Sequence, residues 1–114
     1  MSARAPRLTR ALVLETPVTA PDGAGGFATT WQALGTLWAE IRAGSGRERL
    51  ATLGPMGEVR LRITLRAAPQ GVGQRPRPDQ RLREGARIFR ILAVAEADAQ
   101  GRYLICTAIE EAPA

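Results

Sequence analysis

The stretch "EVRLRITLR", Glu58 to Arg66, puts Val59, Leu61, Ile63 and Leu65 on one parity and Arg60, Arg62, Thr64 and Arg66 on the other. Successive side chains of a strand point to opposite faces. The pattern therefore predicts a β-strand with an apolar face turned to a core and a cationic face turned outward.

Working outward, other runs alternate in the same way. In Arg7–Glu15, Leu8, Leu12 and Leu14 share a parity. "TPVTAPDGAGG" reads as a turn-rich loop with a tight turn at Asp22-Gly23. "FATTWQAL" places Phe27, Thr29 and Trp31 on one face, and "TLWAEIRA" sets Leu37, Ala39 and Ile41 opposite Trp38, Glu40 and Arg42. The two runs read as a hairpin or one long bent strand pair, with a bend or bulge at Gly35. Ile88, Phe89, Ile91, Leu92 and Val94 supply strand apolars, and Tyr103, Ile105, Thr107 and Ile109 alternate with Leu104, Cys106 and Ala108. Glu84-Gly85 and Ala99-Gln100-Gly101 serve as turns. Six or seven short strands separated by turn signals predict an all-β fold, a small, mostly antiparallel barrel or sandwich.

Two segments break the alternation. In "GSGRERLATLGPMG", Ser45 and Glu48 have the spacing of a capping box, and Gly54-Pro55 is a stop signal. They predict a short helix, Gly46 to Leu53, inside an insertion at residues 44–58. Only Leu50 and Leu53 are available to pack it, so a partner is expected to order it. "AAPQGVGQRPRPDQR" has three prolines and two glycines, which exclude a central strand and predict an exposed loop.

The 114 residues suit one domain, 1–114, with flexible ends expected at 1–6 and 112–114. Apolar residues are 45% and charged ones 24%, a globular composition; aromatics are only 4%, so aliphatic side chains must build the core. No apolar run reaches the roughly 20 residues that span a bilayer. The N-terminal apolar patch is interrupted by Arg10 and Glu15, which argues against a signal peptide. Cys106 has no partner for a disulfide, and its apolar neighbours predict a buried strand position and a reducing compartment.

No catalytic constellation emerges. Histidine is absent and the single thiol lies in an apolar run, which removes the usual general base, the usual nucleophile and soft-metal sites. Asp22, Asp79 and Asp98 fall in turns, where Asp serves backbone hydrogen bonding. Glu110-Glu111 reads as a solvated tail, and the glycine runs at 23–26 and 44–46 lack the Lys-Ser/Thr of a phosphate loop. The chain is read as a non-enzyme without cofactor or metal. All 16 basic residues are arginine and the net charge is +5. That charge permits contact with nucleic acid, but the arginine strand carries no aromatic stacking platforms. Trp31 and Trp38 read as half-buried at the sheet surface, with an interface role as the alternative.

In order, Asp22, Gly25, Gly26, Trp31, Trp38, Ala39, Ile41, Gly46, Glu48, Ile63, Thr64, Arg66, Asp79 and Arg81 make a pattern that resembles the phage head–tail joining proteins. These are the head-closure or stopper proteins of long-tailed phages and gene transfer agents. The resemblance runs over residues 7–111. It departs at Phe89, where a tyrosine is commoner, and in the Arg/Pro-rich loop before Asp79. It implies a small β-barrel that assembles as a ring in the particle neck, after synthesis in the bacterial cytoplasm. The ring would lie between the portal's adaptor and the tail terminator, six copies being favoured over twelve. It would retain packaged DNA and form its exit channel.

On that resemblance, Ser45, Arg47, Glu48, Arg49, Leu50 and Leu53 belong to a segment that projects into the channel and gates it. Trp31, Trp38, Glu40, Arg60, Arg62 and Arg66 fall to the subunit interface, the arginines facing acids such as Glu40, Glu96 or Glu110 of a neighbour. Arg75, Arg77, Asp79 and Arg81 would face the adaptor or tail. A stand-alone basic β-barrel that binds nucleic acid, and a tail terminator, are the alternatives.

Overall fold

The computed structural model describes residues 5–43, 60–67 and 75–111. They form six strands: β1 (Arg10–Pro21), β2 (Phe27–Ala43), β3 (Arg60–Arg66), β4 (Arg81–Glu84), β5 (Arg87–Glu96) and β6 (Tyr103–Glu111). Neighbours run antiparallel in the order β1-β2-β3-β6-β5-β4, and β4 pairs back onto β1 to close a barrel. The expected helix at 46–53 and the gating residues Ser45 to Leu53 lie outside the described residues.

The arginine strand explains the closure. Ile63 sits opposite Ile41 of β2 and Cys106 of β6, and Leu65 opposite Ala39 and Leu104, so the apolar parities of three strands meet in shared layers. Leu12 and Leu14 of β1, Leu82 of β4 and Phe89 of β5, all fully buried, complete a core against which the half-buried Ile41 packs. Burial of one such side chain stabilises the fold by roughly 1.5–3 kcal/mol. Cys106 lies within this core, and burial pushes its thiol up to about 12.

Two bulges shape the wall. Between the pairs Leu14–Gly35 and Glu15–Ala33, β2 carries Leu34 as an extra residue, with Gly35 at φ +146°, a conformation other residues rarely adopt. Leu92 is the extra residue on β5, between Ile91–Ala108 and Ala93–Thr107. It lets Phe89, Ile91 and Val94 all face inward.

One end of the barrel is closed by charge. Arg10, Glu84, Arg87 and Glu110 continue the inward parities of Leu12, Leu82, Phe89 and Ala108. Arg10 Nε donates to Glu84 at 2.7 Å, and Arg87 donates through Nε and Nη2 to Glu110 at 2.8 and 3.0 Å. These contacts hold both carboxyls below their ordinary range. Inward-pointing charges are tolerated here because each meets its opposite at the rim. Glu110 and Glu111 are thus the end of β6, not a solvated tail.

The first two strands depart most from expectation. "TPVTAP" is strand, not loop, and the two runs around Gly35 are one 17-residue strand, so the hairpin joins β1 to β2 instead of folding β2 on itself. Two prolines signalled a loop. Pro17 and Pro21 lie four residues apart, so both missing N–H groups fall on the same edge. Among the described residues no strand pairs with that edge of β1 beyond Glu15, so nothing is lost at either proline. The tip is closed by Asp22, whose carboxylate accepts from the N–H groups of Ala24 and Gly26 at 2.8 and 3.1 Å, with Gly23 and Gly25 at positive φ. β4 covers β1 only at Val13–Glu15, so the remaining six residues of β1 continue beyond the barrel as a two-stranded arm about 20 Å long.

Candidate assembly surfaces

The outer wall of β2 and β3 is cationic, as the parity of "RLRITLR" requires. Arg60, Arg62 and Arg66 are exposed, and Arg42 of β2 is the register partner of Arg62. Arg66 lies over the ring of Tyr103, its partner on β6, at 5.7 Å from the centroid. Glu40 shares this face and accepts the backbone N–H of Arg7 at 3.0 Å. Among the described residues, Arg42, Arg60 and Arg90 have no carboxylate within ion-pair distance. Toward β5 a neutral patch follows, Ile105 and Thr107 of β6 beside the exposed Ala95 and Ala93, and it ends at Ile109, which lies between Arg60 of β3 and the exposed Arg90 of β5.

A second cluster lies where the arm leaves the barrel. Glu15 is 6% exposed; its two carboxylate oxygens accept from Arg81 Nε at 2.7 Å and Arg83 Nε at 3.0 Å. The Arg81 guanidinium also stacks on Trp31, 4.1 Å from the ring centroid. Burial pushes the Glu15 carboxyl up, but the two guanidinium groups outweigh it and the net shift is downward. Arg81 therefore opens β4 and braces the arm; it is not a loop residue. Trp31 is half-buried beneath it, while Trp38 is 57% exposed.

The Arg/Pro segment folds back onto β5. Gln80 is buried; its Oε1 accepts from the Arg77 N–H at 2.8 Å, and its carbonyl accepts from Ile91 at 3.0 Å. Asp79 takes φ +73°, the one positive φ among the described non-glycine residues. Arg77 and Asp79 remain exposed and Arg75 is half-buried.

The acids expected to receive the arginine strand are not equally available. Glu110 is clasped by Arg87 of its own chain, whereas Glu96 is exposed and has no ion pair among the described residues. Glu15, Arg83 and Arg90 were missed by sequence reading. Arg83 and Arg90 sit on outward parities that could have flagged them. Nothing in the sequence marks Glu15 as the partner of Arg81, 66 residues away.

Over residues 3–111 the sequence matches the phage head completion proteins. The chain belongs to that family. It is thus a structural protein of a phage-type particle. A solved chain from the virion of a native gene transfer agent particle is 57% identical, superposes with a TM-score of 0.78, and pairs 96% of this chain with all of that one. Protein SF1141 from Shigella flexneri 2a, known from a solution structure, shares the fold at 21% identity and a TM-score of 0.71, over 98% of this chain and all of its own. No curated protein matches this head completion protein.

Proposed function

We propose that this chain is the head-closure, or stopper, subunit of the particle neck. Copies close into a ring, six by preference, between the portal's adaptor and the tail terminator. The ring keeps packaged DNA in the head and gives it an exit. The observation that carries this reading is the 57% identity, over essentially the whole of both chains, to a chain of a gene transfer agent virion. A ring needs two different lateral surfaces on each subunit. We assign one to the cationic wall of Arg60, Arg62 and Arg66, with Trp38 and Glu40 at its margin and Trp31 at the base of the arm. Glu96, rather than Glu110, is then the acid left to meet it from the next copy. Residues 44–58, with Ser45, Arg47, Glu48, Arg49, Leu50 and Leu53, are assigned to the channel. Arg75, Arg77 and Asp79 face the adaptor or tail, and Arg81 stays committed to Glu15.

Deletion in the producing strain tests the assignment. A stopper's loss leaves tailless heads that leak DNA, whereas tails of disturbed length would indicate a terminator. Free DNA supplies a second discriminator. The isolated chain should bind it weakly, and tight binding that falls steeply with salt would favour a nucleic-acid-binding barrel.

A further inference from the structure

Between Glu15 and Glu40 the sequence has one charged residue, Asp22, in a chain that is 24% charged. The structure uses this stretch for the arm and its root, and spends the carboxylate of Asp22 on its own turn. One face of the arm aligns Pro17 with Trp31 and Pro21 with Phe27; the other carries Val18, Ala20 and Ala28. Phe27 is 72% exposed and Val18 is 40% exposed. Among the described residues the arm has neither a third strand nor a packed layer beyond its root, a state marginal in water, and the Glu15–Arg81–Trp31 cluster braces that root.

The chemistry selects the kind of partner. A phosphate backbone is held by Lys and Arg, and the arm has none, so its partner is protein. A neutral counterpart exists on the same chain, a patch of the outer β5–β6 wall made by Ala93, Ala95, Ile105 and Thr107 and bounded by the exposed Arg90. The arm's reach of about 20 Å approaches the shortest extent of the molecule, 22 Å, so the arm can lie along most of the narrow side of a neighbouring barrel. We propose that the arm of one copy lies with its Pro21–Phe27 face on the β5–β6 wall of the next copy. This rests on the ring reading above for the neighbour's identity. The contact is heterologous, donor arm to acceptor wall, and so propagates around a closed circle.

Photo-crosslinking in assembled particles tests it. With p-benzoylphenylalanine in place of Phe27, a crosslink to a second copy of this chain is expected, mapping to peptides of β5 or β6. A crosslink to a different particle protein, or to another surface of the copy, would overturn the arm assignment while leaving the ring intact. So would the absence of any crosslink. If the chain itself is missing from the particle neck, the ring reading is what fails. Phe27→Asp and Ala95→Arg change outward-facing residues and should fold, as circular dichroism would verify. Each should lower incorporation into particles about ten-fold or more; incorporation at the wild-type level would overturn the proposal.

Discussion

The arm is the continuation of two of the barrel's six strands, β1 and β2. Leu12 and Leu14 of β1 are fully buried, while every residue from Val18 to Pro21 on the same strand is exposed. Backbone pairing is continuous through both regions, so hydrogen bonding does not distinguish them. What differs is a second layer. In the barrel each inward side chain meets others across the lumen, whereas beyond the Arg81–Trp31 stack at its root the arm has no described residue packed on either face. A ladder alone gives shape, and burial gives stability.

Substitutions should divide along that line. The largest effect is expected for Phe89→Ala, which removes the largest fully buried side chain and should cost about 3–5 kcal/mol in urea unfolding. Gly35→Ala comes next, because its φ of +146° is strained for any other residue; a loss of about 1–3 kcal/mol is expected on the same measurement.

Arg81→Ala tests the joint between the regions. It leaves the buried Glu15 carboxylate with Arg83 alone, and should cost about 1–3 kcal/mol. It should also speed amide hydrogen exchange in the arm more than in β6. The joint and the charged rim of the barrel share a pH signature. Glu15, Glu84 and Glu110 are all shifted down from 4.5, so the stability they contribute is complete above that value and is lost as pH falls through their lower folded-state values. Stability is expected to fall below pH 4.5, and Glu15→Gln should flatten that fall when thermal unfolding is followed against pH. The smallest effect belongs to the arm itself. Phe27→Ala should change the isolated chain's stability by no more than about 0.5 kcal/mol, and a larger loss would mean the arm packs on its own barrel.

The barrel was legible in the sequence because parity reports burial directly. "RLRITLR" and "YLICTAI" each have one face in the core, and their alternation survives into the structure intact. The β1 half of the arm was not, because Thr16–Pro21 has no buried face and leaves no alternation to read, whereas the β2 half showed its parity in Phe27, Thr29 and Trp31. Pro17 and Pro21 then carried the judgement toward a loop, although an unpaired edge accepts proline freely. Of the candidate surfaces, the arginine wall followed from parity alone. The clasp of Glu15 did not, since which distant arginines reach a buried carboxylate depends on closure of β4 onto β1. The same closure moved Arg81 from the loop it was assigned to into a strand.

Cys106 gives the molecule a built-in clock. Its sulfur sits mid-way along β6, walled by β3 and β5, and a thiol with so high a pKa is almost wholly unreactive at neutral pH. A maleimide or disulfide reagent can reach it only when those strands part, so the labelling rate measures how often the cylinder opens. A cysteine introduced at the arm's tip would, by contrast, react at once, allowing a single dye to be placed there without touching the native thiol.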